Sequence, residues 1–368
     1  MKVQIFSGRI HHWLKLRNVY RELEERGHDV SFLIANNAIN IDPPSEYLTR
    51  SVYRNTHVYP YITNMEYSPY NPSSDNLFAS IPPFWWLYST RELEEVKRGV
   101  AALWDKEGNP DAVLVLHENN FWTKLIAWLC KQRDVPCYSF QEGLLRHRDQ
   151  ETMNKQAMAS EYSSGLFVWT ERDKQAYIDA GVDEDKVDVV GCSHLDKKWL
   201  PERNLSSRPI VLLALPSLAE YVGDMMADVM RISSYCEQNN FHLVVRFHPF
   251  EKHLADQFPK TMKFDLNDDP LPSLVSSRLI LGQHSTIMLE AVLLGIPAAE
   301  YNFSNKPLTE PLSDRWLVDS INQETLDKIK NIIQYGISDV RVDAINAIRV
   351  SLNGVNEKIV DILEARNG

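Results

Sequence analysis

The sequence predicts an α/β protein built from two doubly wound domains with parallel sheets, and three observations carry that expectation. Short apolar runs alternate with stretches of helical periodicity along most of the chain. The alternation breaks at a polar segment, Pro201-Glu202-Arg203-Asn204-Leu205-Ser206-Ser207-Arg208-Pro209, and then starts afresh. The length, 368 residues, exceeds what one hydrophobic core usually serves.

The opening reads as strand, helix, strand. Val3 to Phe6 is a short β run that Ser7-Gly8-Arg9 breaks. From His12 to Arg26, Trp13, Leu16, Tyr20 and Leu23 share one helical face, Gly27 stands at the C-cap position, and Val30 to Ile34 is the next strand. A βαβ unit requires a parallel pair. Residues 41–90, rich in Pro, Tyr, Asn and Ser and including Pro82-Pro83-Phe84-Trp85-Trp86, read as an irregular excursion packed on a core. Regular alternation resumes with a helix over Glu92–Trp104, strands at Ala112–Leu116, Cys137–Phe140, Leu166–Trp169 and Val187–Val190, and a Trp-rich helix over Phe121–Gln132. After the linker come strands at Ile210–Leu215, His242–Phe247, Arg278–Leu281 and Ala298–Tyr301, with helices over Gly223–Asn239 and Thr286–Leu294 and a helical tail from Gln323. The expected domains are therefore 1–203, 204–340 and a C-terminal helical segment, 341–368, able to pack back on the first domain, the two sheets facing across a cleft.

Composition narrows the function classes. With 44% hydrophobic and 24% charged residues the chain is neither disordered nor fibrous. Fifty acidic against 39 basic side chains, net −11, make it a poor non-specific binder of nucleic acid or anionic membrane. Cys130, Cys137, Cys192 and Cys236 show no C-x-x-C spacing, which argues against a zinc site or disulfide scaffold and fits a reducing cytoplasm. No apolar run approaches the ~20 residues of a membrane span, and the first nine residues are too short an apolar stretch for a signal peptide.

In doubly wound sheets ligands sit outside the carboxyl ends of the strands, so residues just after strands carry the functional signal. The clearest constellation is Gly282-Gln283-His284-Ser285-Thr286, with Glu290 and a Gly295-Ile296-Pro297 close. Ser285 or Thr286 would open a helix whose N–H groups and dipole favour a phosphate. Glu290, four residues after Thr286 on one helix face, is placed to accept from ribose hydroxyls. An ordinary Ser N-cap with a solvated glutamate would write the same pattern. The second signal is Arg246-Phe247-His248-Pro249: the proline ends a strand and holds His248 at its carboxyl end, with Arg246 on the same side two residues earlier. Such a histidine can donate to phosphate oxygens or protonate a leaving phosphate. In the first half, Glu142 in Gln141-Glu142-Gly143 follows a strand, with Arg146 nearby, and can act as general base on a substrate hydroxyl. Glu118 is a second carboxylate on that rim, while Arg9, His11 and Ser217 are weaker candidates for acceptor or cleft contacts.

Arg-x-His-Pro, followed some 35 residues on by a Ser/Thr-x3-Glu-Ala-x3-Gly-x-Pro segment, resembles the donor-binding half of GT-B glycosyltransferases. The likeness is greatest to bacterial capsule and surface-polysaccharide enzymes: Kdo transferases, polysialyltransferases and related glycerophosphate polymerases. The resemblance implies that His248, Ser285 and Thr286 hold the phosphate of a nucleotide-sugar and that Glu142 answers to the acidic-Gly catalytic residue. Together with the reading of the residues, it leads to the expectation of catalysis by Glu142 and His248, and of nucleotide binding by Arg246, His248, His284, Ser285, Thr286 and Glu290. Expected partners are a nucleotide-sugar donor, CMP-activated acid sugars before UDP-sugars, and a glycan or glycolipid acceptor, with peripheral association with a membrane assembly complex; the expected location is the cytoplasm, at the inner face of the membrane. No metal or cofactor is expected, since no Asp-x-Asp motif stands out and a helix end with a histidine can hold the phosphate unaided. Two alternatives share the architecture: an enzyme similar to UDP-N-acetylglucosamine 2-epimerases, though their glycine doublet at the helix start is replaced by His284-Ser285-Thr286, and a non-catalytic nucleotide-sugar-binding component.

Overall fold

The computed structural model describes residues 1–7, 10–35, 56–59, 90–117, 121–143, 162–203, 205–218, 221–283, 285–304, 306–308, 312–313, 318–336 and 350–367. The chain runs through β1 (Lys2–Ser7), α1 (Ile10–Glu25), β2 (Asp29–Ala35), β3 (Thr56–Tyr59), α2 (Thr90–Glu107), β4 (Ala112–Leu116) and α3 (Phe121–Gln132). It continues with β5 (Cys137–Phe140), β6 (Gly165–Val168), α4 (Glu171–Asp179) and β7 (Val187–Val189). Then follow β8 (Ile210–Ala214), α5 (Met225–Gln238), β9 (His242–Arg246), the 3₁₀ segment Pro249–Gln257, β10 (Lys263–Asp265) and α6 (Leu271–Ser276). The last elements are β11 (Leu279–Gly282), α7 (Thr286–Leu293), β12 (Ala298–Tyr301), β13 (Asp319–Ile321), α8 (Lys328–Tyr335) and α9 (Val355–Asn367).

Two compact units form: Met1–Trp199 with Val350–Gly368, and Leu200–Arg349. The first holds a seven-stranded sheet in the order β3-β2-β1-β4-β5-β6-β7, the second a six-stranded sheet in the order β10-β9-β8-β11-β12-β13. Every neighbouring pair is parallel. The strand order reverses between β1 and β4 and between β8 and β11, so each unit is a doubly wound Rossmann-like sheet with one topological switch point.

The central strands are buried along their whole length, β4 and β11 without a single exposed position, as parallel strands covered on both faces must be. In the first unit, Leu16, Val19 and Leu23 of α1 join Val3, Ile5 and Leu114 of the sheet in one core, which Val355, Ile359, Val360 and Leu363 of α9 complete. Asn356 fastens that last helix: its amide nitrogen donates to the Ser193 carbonyl and to Asp196 Oδ2, both at 3.1 Å. In the second unit Val211, Leu213, Val245, Leu281 and Tyr301 pack against Val229 and Ile232 of α5.

Three strands go beyond the sequence expectation. β3 lies inside the stretch read as irregular, and β10 and β13, of three residues each, are too short to show periodicity. In the tail expected to be helical, the described residues from Gln323 give a 3₁₀ turn and α8 in the second unit and α9 in the first. The aromatic run Pro82–Trp86 lies outside the described residues. Among the described residues no helix is long and apolar enough to cross a membrane, and the four cysteines are buried, unbridged thiols.

Candidate functional site

Strand register sets the geometry of the second unit's carboxyl edge. One row crosses the sheet as Asp265, Arg246, Ala214, Gly282 and Glu300. His248 lies two residues beyond this row after β9, Ser217 three beyond it after β8, and Ser285 three beyond it after β11. They therefore end three adjacent strands at the switch point, β8 being the only strand between the other two. Two strand spacings separate the outer pair, about 10 Å of sheet, a span that two side chains and a phosphate can bridge.

Gly282 makes the turn from β11 into α7 feasible, because a Cβ there would stand 2.8 Å from Met288 Sδ and 3.1 Å from the Ala214 carbonyl oxygen. Ser285 is the N-cap residue of α7 in extended conformation, yet its side chain makes no capping hydrogen bond. Ser285 and Thr286 are half-buried, whereas Glu290, one turn along, is buried. The ordinary reading of this pattern, a capping serine with a solvated glutamate, is thus not what the chain folds into. His284 lies outside the described residues.

His248 is a half-buried ring whose Nδ1 stands 2.9 Å from Glu251 Oε2. Arg246 is engaged elsewhere. Its Nη1 pairs with Asp265 Oδ2 at 2.5 Å and its Nη2 donates to the Asp268 carbonyl at 2.9 Å, both on or just after β10. The register that sets Arg246 opposite Asp265 explains the pairing. The guanidinium holds the loop after β10, and Lys252 of the 3₁₀ segment reaches the same loop through Asp268 Oδ1 at 2.5 Å.

Two side chains to which the sequence assigned no role, Gln283 and Glu251, organise this edge. Gln283, fully buried, accepts from Val222 N at 3.0 Å and donates to Val222 O at 2.9 Å, and Glu251 Oε1 accepts from Leu218 N at 3.2 Å. The loop after β8 is further tied by Tyr221, whose hydroxyl donates to Asp228 Oδ2 at 2.9 Å and lies 3.1 Å from that of Tyr301. Burial raises the pKa of all three groups above their ordinary values. The glutamine and glutamate carried no signal beyond their place after a strand end, which for Gln283 was visible.

In the first unit Glu142 is half-buried three residues past the row Phe6, Val115, Ser139 and Leu166. Its turn is pinned from three sides. The buried Gln141 amide donates to the Gly143 carbonyl at 2.8 Å and accepts from Trp169 N at 2.9 Å, and Lys15 Nζ of α1 donates to the Glu142 carbonyl. His117, directly after β4, adopts a left-handed backbone with φ 51°, a conformation uncommon outside glycine, and its carbonyl accepts from Thr123 Oγ1 at 2.6 Å. Arg9, Glu118 and Arg146 lie outside the described residues; His11 falls in the first turn of α1. Among the described residues, no group of three or more His, Cys, Asp or Glu side chains gathers as metal ligands.

Neither a family model nor a curated protein matches the sequence. Solved structures match the fold. The UDP-GlcNAc 2-epimerase of Neisseria meningitidis, solved with UDP-GlcNAc bound, is similar over 99% of this chain and 100% of its own, with TM-score 0.61 and 15% identity. The UDP-GlcNAc 2-epimerase of Methanocaldococcus jannaschii is similar over 99% of this chain and 100% of its own, with TM-score 0.64 and 17% identity. The glycotransferase of kitacinnamycin is similar over 100% of this chain and 98% of its own, with TM-score 0.58 and 13% identity. Likeness at this identity is a likeness of fold, and the fold is the two-domain α/β arrangement of the GT-B class.

Proposed function

We propose that the chain is a nucleotide-sugar enzyme, a glycosyltransferase that moves a sugar from its nucleotide carrier to a bacterial surface glycan. The second unit is the donor domain. The observation that carries this reading is the uncapped start of α7: Ser285 leaves its hydroxyl out of the cap, and His248 stands two strand spacings away, across β8, on the same carboxyl edge. Helix-end N–H groups, the two hydroxyls of Ser285 and Thr286 and the His248 ring would take the phosphate, and Glu290 the ribose. Arg246 serves by holding the loop after β10. Glu142 is the base that takes the acceptor hydroxyl's proton, and His284, Ser217, Arg9, His11, Glu118 and Arg146 complete the donor and acceptor contacts. A CMP-sugar is favoured by the His-Pro motif and the acidic-Gly partner, the acceptor being glycan or glycolipid at the cytoplasmic membrane face.

A second reading, epimerisation of UDP-N-acetylglucosamine, is favoured by a specific observation. Two of the proteins just compared, similar along the whole chain, carry that activity in their names. Incubation with UDP-N-acetylglucosamine and no acceptor separates the two, because only the second reading predicts the 2-epimer. Thermal shift against CMP, UDP, GDP and ADP identifies the carrier, since a ligand bound by the native state alone raises apparent stability. Glu142→Gln is expected to bind nucleotide and to transfer no sugar; full transfer by this variant would remove Glu142 from the chemistry.

A further inference from the structure

The carboxylate of Glu251 is shared between two elements. Oε2 lies 2.9 Å from His248 Nδ1, and Oε1 accepts from the Leu218 backbone N–H at 3.2 Å. Glu251 stands in the first turn of the 3₁₀ segment that Pro249 opens, three residues after His248, and its side chain is only 12% exposed. His248 follows β9 and Leu218 follows β8, the adjacent strand. One half-buried carboxylate thus ties the imidazole to the loop after β8.

We propose that Glu251 is the positioning residue of the His248 phosphate contact: it holds a proton on Nδ1, aims Nε2 at the ligand, and keeps the loop after β8 in register with the ring. The ligand's identity, a nucleoside phosphate ester, rests on the function proposed above; the ring geometry does not. A carboxylate only accepts, so the ring nitrogen facing it must carry hydrogen. In the neutral ring that leaves a lone pair on Nε2, which repels a phosphate oxygen. Donation from Nε2 therefore requires a second ring proton, taken from solvent, and the imidazolium so formed is stabilised by Glu251 on one side and phosphate on the other.

The test is NMR of the full chain labelled with ¹⁵N-histidine, His248 being assigned with His248→Gln, together with titrations of CMP, UDP, GDP and ADP. Wild type is expected to carry a proton on Nδ1 when ligand-free and on both ring nitrogens in its nucleotide complex. Glu251→Gln is expected to admit the Nε2–H tautomer, because its amide can donate to Nδ1; the phosphate then meets a neutral donor in place of the imidazolium, and nucleotide binds about tenfold more weakly. In a His248→Ala background the same substitution should change affinity by less than about twofold. A ligand-free wild-type ring protonated on Nε2 alone overturns the proposal. So does a loss on Glu251→Gln that is equally large without His248, which would mark Glu251 as a loop anchor only. Should Glu251→Gln fail to fold, Glu251→Asp takes its place in the cycle, and the wild-type ring protons decide on their own. If wild type binds none of the four nucleotides while Nδ1 stays protonated, the nucleotide reading fails, and the phosphate role of His248 with it.

Discussion

Gln283 and Val222 hold each other by both halves of an amide: the Val222 N–H donates to Gln283 Oε1 at 3.0 Å, and Gln283 Nε2 donates to the Val222 carbonyl at 2.9 Å. A side chain at the end of β11 thus substitutes for a strand partner and fixes the loop after β8, sixty-one residues away in sequence. Gln283→Leu keeps the volume and removes both bonds, leaving a backbone donor and acceptor to find water. The expected cost is about 1–3 kcal/mol of stability, read as a lower midpoint in thermal or urea unfolding, with weaker nucleotide binding alongside. An unchanged midpoint would show that the loop holds itself.

Gly191 allows the chain segment before α9 to pass close over the end of β7. Its φ is 101°, and a Cβ there would meet the Ser351 carbonyl oxygen at 2.5 Å and Ser351 Cβ at 2.9 Å. The first of these is backbone and cannot swing aside. Gly191→Ala is expected to cost more than about 2 kcal/mol through the left-handed conformation and the clash together. Amide exchange should locate the damage: faster exchange over α9, whose Asn356 anchor is near this crossing, with the second unit unaffected. Uniform exchange across both units would contradict that picture.

Asp228 makes the stability of the second unit depend on pH. Burial raises its carboxyl above the ordinary range although Tyr221 donates to it. The unfolded chain gives up this proton near pH 3.9, while the folded chain keeps it to higher pH. Between those two values folding takes up a proton, so stability falls as pH rises through the window and levels off above the folded value. Asp228→Asn still accepts from Tyr221 but cannot ionise. Unfolding measured from pH 4 to pH 8 should show a shallower decline for this variant than for wild type. Parallel curves would mean that Asp228 does not titrate differently in the two states.

What the sequence disclosed follows from how each element is buried. β4 and β8 read directly because parallel strands covered on both faces must be apolar throughout. The edge strands β10 and β13 did not, since Lys-Phe-Asp and Asp-Ser-Ile are three residues long with two polar residues each. His248 and Ser285 stood out because Pro249 and Gly282 punctuate the strand ends before them. Glu251 was silent, since its two partners come together only once β8 and β9 have paired. Arg246 drew attention for its neighbour in sequence, and its actual partner sits on a strand that no pattern announced.

That partner allows a sharp test of what Arg246 does. The Arg246–Asp265 pair is buried on both sides, at 9% and 2% side-chain exposure. Removing one member leaves the other charge without its counter-ion, at a cost of about 3–5 kcal/mol. If Arg246 acts on nucleotide only by holding the loop after β10, Arg246→Met and Asp265→Asn should weaken nucleotide binding to a similar degree. The double variant should then lose little more than either single one, because both substitutions break the same tether. A guanidinium that touches phosphate directly gives the opposite pattern. Arg246→Met would then cost far more affinity than Asp265→Asn, and the steep salt dependence of nucleotide binding expected of a phosphate-bound arginine would vanish in that variant alone.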